Sequence, residues 1–216
     1  MLQQQPKHQV QPDVFTQNAL GQDTSGRVVY QAKAVPKELV LGMVVRLITP
    51  ADAALLSNYY QDNAEHFKPW QPRRENNYYS EAALFALFTE YQHQQQNGSA
   101  AHFIALLDGK VAAHCSLTAI QYGPFRACFI GYGVAHNHQG TGVMTRLCQS
   151  VISYAFDELQ LNRIMANYMP SNLRSGKLLK KLGFNKEGVA KRYLQINGNW
   201  EDHILTSLLN PHSQAT

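Results

Sequence analysis

A chain of 216 residues with 44% hydrophobic and only 16% charged side chains carries enough apolar material for one well-cored domain plus an appendage, and is too short for two. Its net charge of +4 and pI near 8.9 come from scattered basic residues, with clusters at Lys177, Lys180 and Lys181 and at Lys186, Lys191 and Arg192; these fit a solvated helix face or an anionic ligand, and no direct nucleic-acid motif is present. Cys115, Cys128 and Cys148 stand alone in apolar runs, which excludes a disulfide framework or zinc set and predicts no metal, while the absence of signal-peptide order and of a run of about eighteen apolar residues predicts a cytoplasmic protein with no membrane partner.

Residues 1–35 are rich in Gln, Asn, Ser and Gly and read as a loosely ordered polar arm, in which Val28-Val29-Tyr30 is an apolar patch able to add an edge strand. The run Leu39 to Ile48 predicts a strand. Thr49-Pro50-Ala51-Asp52 then starts a helix reaching Asp62, with Thr49 as cap and Pro50 at its first position. A loop carrying His66-Phe67-Lys68-Pro69-Trp70 follows, and a helix from Ser80 to Gln96 ends at Asn97-Gly98. Ala101 to Leu107 and Val111 to Ile120 form a hairpin about Asp108-Gly109, and Ala127 to Val134 is a further strand. Beyond it come a helix over about residues 140–158, a strand at Arg163 to Tyr168, a helix from Asn172 to Leu182, and a last hairpin of Phe184 to Ile196 and Trp200 to Leu209 about Asn197-Gly198. This order predicts an α+β (α/β three-layer) domain over 36–210, a mixed sheet with helices on its faces, and a tail at 211–216.

Gln139-Gly140-Thr141-Gly142-Val143-Met144 lies between the strand ending at Val134 and the helix after it. Glycines there allow a tight turn, and the following helix N-terminus supplies unpaired N–H groups and partial positive charge, which together hold a diphosphate. Ordinary turn chemistry is the alternative for the bare motif. A Walker loop is excluded because no Gly-Lys-Ser/Thr occurs, and a dinucleotide fingerprint because position 145 is Thr and the strand Leu161 to Tyr168 carries no acid.

These elements and residues resemble the acetyl-CoA-dependent N-acetyltransferases of the GNAT superfamily over Leu39 to Leu209. Gln139 to Met144 fits the superfamily pattern of Arg or Gln, two variable residues, Gly, one variable residue, then Gly or Ala, except that Met144 stands where a small residue is usual. A second block, Pro170-Ser171-Asn172-Leu173-Arg174-Ser175 followed by Leu182-Gly183-Phe184, matches the superfamily's Asn, helix and Gly-Phe. Within the superfamily, "HFKPW", "GYGV", "RIMANYMPSNLRSG", "LLKKLGF" and "INGNWEDH" resemble the RimJ/RimL group, which acetylates α-amino groups of ribosomal proteins.

The resemblance implies a GNAT-like fold, acetyl-CoA as co-substrate, and the N-terminus of a ribosomal protein, beginning with Ala or Ser, as acceptor, with a possible association with the ribosome or its subunits. It implies that backbone groups of Tyr132, Gly133 and Val134 bind the pantetheine arm, that Gln139, Gly140, Thr141, Gly142, Val143, Met144 and Thr145 hold the diphosphate, and that Asn172 bonds the pantetheine. The amine attacks directly, one proton leaving the ammonium and one reaching the departing thiolate. The tyrosine acid that many members carry seven residues after the Asn is Leu179 here, and the resemblance to RimL-like members implies Ser175 instead; a helix serine bonded back to a carbonyl is the alternative. Glu65, His66, Glu187, Asp202 and His203 are candidates for the base, His66 being chemically apt near neutral pH, and a water relay serves equally. Trp70, Tyr168 and Asp202 are expected at the acceptor, with a packing role for Trp70 as the alternative. Two other functions remain open: acetylation of a small-molecule amine, and a CoA-binding, ribosome-associated module without catalysis.

Overall fold

The computed structural model describes residues 20–22, 28–30 and 42–213. Two compact units are distinguished, Met1–Gln31 and Ala32–Thr216. In the first, β1 (Leu20–Gln22) pairs antiparallel with β2 (Val28–Tyr30), so that this segment forms a strand within its own unit. The remainder of the polar arm lies outside the described residues.

The second unit begins with β3 (Met43–Leu47); the earlier part of the expected strand also lies outside the described residues. The Pro50–Asp52 segment starts as a 3-10 turn before α1 (Ala53–Asp62). The turn is held by Asp52, whose carboxylate accepts from the Thr49 amide at 2.8 Å and pairs with both Arg46 guanidinium nitrogens at 2.7 and 2.5 Å. Burial works against that charge, but Arg46 and Thr49 outweigh it and hold the carboxyl below its usual range.

The "HFKPW" segment differs from the expected loop. Ala64–Phe67 is a one-turn helix, α2, followed by a 3-10 turn at Lys68–Trp70. Phe67 is 6% exposed, so burial of its ring against Tyr59 and Tyr60 fixes a turn that four residues show no periodicity for. Then α3 (Glu81–Gln96) starts at Ser80, whose hydroxyl accepts from the Ala83 amide at 3.3 Å.

β4 (Ala101–Leu107), β5 (Lys110–Gln121) and β6 (Ala127–Val134) form a meander, the first turn having both Asp108 and Gly109 at positive φ, +49° and +75°. After β6 come α4 (Val143–Ser153), β7 (Arg163–Tyr168), α5 (Leu173–Lys181), β8 (Asn185–Ile196) and β9 (Asn199–Leu209). The helix expected over about residues 140–158 starts later, at Val143, and its last turn, Tyr154–Glu158, widens to π geometry.

Seven strands form one sheet in the order β3-β4-β5-β6-β7-β9-β8, antiparallel throughout except for β6 beside β7. Alternation along β4 divides the core: Ala101, Phe103 and Ala105 join Leu147, Val151 and Leu179 of α4 and α5, whereas Ile104 joins Leu56, Phe67, Leu84 and Phe88 of α1 to α3. Helices therefore cover both faces, giving three layers. The larger of these side chains, Phe103, Ile104, Leu56, Leu147, Val151 and Leu179 among them, each stabilise the domain by about 1.5–3 kcal/mol on full burial.

Candidate active site

The parallel pair β6–β7 is incomplete. Its register runs only through Ala127↔Arg163, Cys128↔Ile164 and Phe129↔Met165, although β6 continues to Val134 and β7 to Tyr168. Each strand stays paired on its other side, β6 with β5 up to Val134 and β7 with β9 up to Tyr168, so the sheet opens between them as a wedge. The Ala135 amide donates to Ala112 O at 2.9 Å, and by antiparallel alternation Gly133 and Gly131 also bond to β5. The N–H and C=O groups of Tyr132 and Val134 consequently face the wedge. An extended acyl chain of amide-rich chemistry fits there as a substitute strand.

The glycine loop stands at the wide end of the wedge. Gly140 and Gly142 have φ of +75° and +87°, a region L-residues rarely enter, and Gly142 is the residue from which α4 begins. The first α-helical bond of α4 runs from the Arg146 amide to Gly142 O at 3.1 Å, which leaves the Val143, Met144 and Thr145 amides at the helix's positive end for an anion. Met144 is 9% exposed: its side chain joins the core beside Leu147, so its size takes no room from the cradle's outer side. The Gln139 amide is already given to His136 O at 3.3 Å, so this residue takes part through its side chain, whose Oε1 accepts from Arg174 and whose amide nitrogen lies 3.0 Å from His66 Nε2. Thr141 Oγ1 donates to His138 O at 2.8 Å and braces the turn.

Asn172 caps α5. Its Oδ1 accepts from the Ser175 amide at 3.1 Å, which leaves Nδ2 as the group able to bond a ligand. Ser175 Oγ does not bond back to a helix carbonyl; it lies 2.8 Å from Tyr132 Oη. Burial pushes the Tyr132 phenol well up, so it is uncharged at working pH.

His66 reaches β6 from the α1–α3 layer. Its Nε2 lies 3.2 Å from Val134 O, and its ring stands edge-on to His136 with centroids 5.2 Å apart. Burial, opposed by the Val134 carbonyl and reinforced by His136 and Arg174, lowers its pKa, so the imidazole is neutral at pH 7. The Gln139 side-chain nitrogen, its oxygen held by Arg174, approaches the same Nε2, so that one ring nitrogen bonds either the Val134 carbonyl as donor or the Gln139 amide as acceptor, according to its tautomer. The other base candidates have partners elsewhere. Glu65 pairs with Lys68 on the surface at 3.4 Å, and Glu187 is held below its usual pKa by Ser207 and by Arg163. Asp202 pairs with Lys191 at 2.7 Å and accepts from the Arg192 amide at 2.9 Å, where a residue at φ +49° and a register shift bend β8; Lys191 and that amide lower its pKa. His203 is 4% exposed and sits 3.1 Å from Glu201 O.

Tyr168 ends β7 with its ring against Gly176 of α5, the residue after Ser175. Trp70 is 38% exposed, and the residue after it is anchored twice: Gln71 O accepts from the Asn197 amide at 2.9 Å and Gln71 Oε1 from the Tyr79 hydroxyl at 2.6 Å. The "HFKPW" segment is thereby tied to the β8–β9 turn.

Four residues without an expected role also shape the site. Tyr59 donates to Gly133 O at 3.2 Å and meets His114 Nδ1 at 3.1 Å; Asn63 fixes the His136 amide at 2.7 Å; Arg174 orients Gln139. Tyr59 and Asn63 lie four apart, on one helix face, and Arg174 sits between Asn172 and Ser175; these placements were visible in the sequence, but their partners were not. Among the described residues no cluster of His, Cys, Asp or Glu is arranged to hold a metal ion, and no helix is long and apolar enough to cross a membrane.

The sequence pattern of the Acetyltransferase (GNAT) domain matches residues 43–185. The chain is 39% identical over 172 residues to the [Ribosomal protein uS5]-alanine N-acetyltransferase of Escherichia coli (strain K12), covering 78% of this chain and 88% of that protein. Among solved structures, the ribosomal-protein-S5-alanine acetyltransferase from Vibrio fischeri superposes with a TM-score of 0.79 at 36% identity, covering 81% of this chain and 97% of that one. Mycobacterium smegmatis RimJ in complex with CoA-disulfide superposes with a TM-score of 0.74 at 28% identity, covering 77% and 81%. A sheet that opens beside a glycine-turned helix start, together with these matches over most of the chain, leads to one conclusion: the chain belongs to the GNAT acetyltransferase family.

Proposed function

We propose that this enzyme transfers the acetyl group of acetyl-CoA to the α-amino group of a protein N-terminus, the N-terminal alanine of ribosomal protein S5 (uS5) being the acceptor. The observation that carries the reading is the wedge between β6 and β7, with the Tyr132 and Val134 backbone groups along one side and a helix N-terminus at its wide end. The acceptor follows the S5-alanine enzymes of Escherichia coli and Vibrio fischeri, to which this chain is similar over 78% and 81% of its length.

In this reading the Tyr132 and Val134 backbone groups bind the pantetheine arm along the wedge, and a β6 amide polarises the thioester carbonyl. Val143, Met144 and Thr145 amides hold the diphosphate, with Gly140, Thr141 and Gly142 shaping the turn, and Asn172 Nδ2 bonds the arm. Ser175 gives a proton to the departing thiolate. His66, neutral and with Nε2 lying between the Val134 carbonyl and the Gln139 side chain, positions the loop, and water removes the proton of the acceptor ammonium. Tyr168 and Trp70 border the acceptor, while Asp202 acts on it by fixing the shape of β8. We assign catalysis to residues 36–210, flanked by the polar arm 1–35 and the tail 211–216, and propose that the enzyme acts in the cytoplasm on a ribosomal subunit or its free protein.

Thiol release is to be measured with a peptide bearing the S5 N-terminal sequence, the same peptide with its α-amine blocked and a lysine retained, and spermidine. Release with the free alanine peptide alone is expected. Equal or faster release with the blocked peptide or with spermidine contradicts the α-amine assignment, and the absence of release from any amine contradicts catalysis.

A further inference from the structure

We infer that the Tyr132 hydroxyl is a positioning residue for Ser175, donating a hydrogen bond to Ser175 Oγ so that the serine's own O–H is left pointing at the thioester sulfur. The inference rests on the reading of Ser175 as the proton donor and deepens it.

Its ground is the contact at 2.8 Å between a strand residue and a helix residue, 43 positions apart in the chain. Two hydroxyls joined by one bond use one proton and keep one free. Which of them donates follows from acidity: a phenol near ~10 is a far stronger acid than an aliphatic hydroxyl, which lies close to water at about 15.7. The phenol therefore donates and the serine accepts, and accepting a bond makes the remaining Ser175 O–H a better donor. Burial raises the Tyr132 pKa but keeps the ring protonated, so the donor is constant across the working range. The serine itself is fixed from the other side, because its amide is bonded to the Asn172 cap.

In the transfer step the C–S bond breaks and its electron pair remains on sulfur, which takes the Ser175 proton. The C–N bond forms as the neutral amine attacks the carbonyl carbon; the acceptor nitrogen gives two protons to solvent, one before attack and one from the tetrahedral adduct, and solvent returns one to the hydroxyl pair, so that one proton is released overall. Leu179, in the position where many superfamily members carry a tyrosine acid, is buried at 2% exposure; in this chain the phenol reaches the same helix from β6.

Tyr132→Phe is to be compared in the wild-type and Ser175→Ala backgrounds, with kcat, KM for acetyl-CoA, and calorimetric CoA affinity measured for each. Tyr132→Phe alone should lower kcat by about tenfold or more with KM and CoA affinity within about twofold, and should add no loss to Ser175→Ala. Equal losses in both backgrounds, or a loss matched by weaker CoA binding, overturn the inference in favour of packing; an unchanged kcat for Tyr132→Phe beside a reduced one for Ser175→Ala overturns it while sparing the serine. Ser175→Ala at wild-type rate, or no transfer by the wild type, instead removes the reading beneath it.

Discussion

His114 lies directly against Gly133: a Cβ built on that glycine would stand 2.5 Å from His114 Cε1 and 3.1 Å from Nε2. The imidazole cannot turn away easily, because its Nδ1 meets the Tyr59 hydroxyl at 3.1 Å and rings of Tyr59, Tyr60 and Phe67 surround it. Gly133→Ala must then move β6, the strand whose backbone faces the wedge. We expect a stability loss of about 1–3 kcal/mol and weaker CoA binding. Gly131→Ala, with nothing within 4 Å of its Cβ, should stay within about 0.5 kcal/mol of wild type. Chemical denaturation of both variants with calorimetry of CoA binding checks the pair; equal stability of the two would show that the His114 contact has no bearing on β6.

A second glycine has the opposite character. A Cβ at Gly176 would stand 2.8 Å from Tyr168 Cε2 and 3.0 Å from its Cζ and hydroxyl, the free end of a side chain and not backbone. The ring can swing, so Gly176→Ala should cost little stability and act on the acceptor. We expect KM for the alanine peptide to rise several-fold while CoA affinity holds. Steady-state kinetics with each substrate varied in turn measures this, and an effect confined to acetyl-CoA would place Tyr168 away from the acceptor.

The strands that make the wedge were legible in the sequence to the residue, Ala127–Val134 and Arg163–Tyr168, because each is an apolar run bounded by turn residues. The cap at Ser80 and the turn at Asn197-Gly198, with φ of +46° and +90°, were legible for the same local reason. What could not be read is tertiary. The helix at Ala64–Phe67 is too short for periodicity and is made by Phe67's burial, and the Tyr132–Ser175 contact joins elements far apart in the chain. Asp202 shows the same limit. Its neighbour Trp200 points to the acceptor, and its two bonds, to Lys191 and to the Arg192 amide at the bend in β8, carry no local signal.

His102 should make stability fall as pH falls. It is 6% exposed, stacked on Tyr91 at 3.4 Å between centroids, with Nδ1 2.8 Å from Ser116 Oγ and Nε2 3.3 Å from Gln94 Oε1. Burial, with a smaller push from His114, lowers its pKa from 6.5 to about 4. The unfolded chain therefore takes up the proton first: stability is fully present above the unfolded value, falls from about pH 6.5 to about 4, and the loss nears about 3 kcal/mol. His102→Phe should flatten that slope, with part remaining because burial also sets His114 at about 4. Urea unfolding at pH 7.5, 6 and 5 measures the slope; an identical slope in the variant would place the linked proton elsewhere.

The central claim, transfer to the α-amine of an N-terminal alanine, is tested most directly by mass spectrometry of protein N-termini after small-subunit ribosomal proteins are incubated with this enzyme and acetyl-CoA. Acetylation of the S5 N-terminal alanine, lost in Ser175→Ala, is the result expected from the wedge, the cradle and the Ser175 hydroxyl. Modification confined to internal lysines, or an S5 N-terminus left free while other N-termini are acetylated, would contradict it.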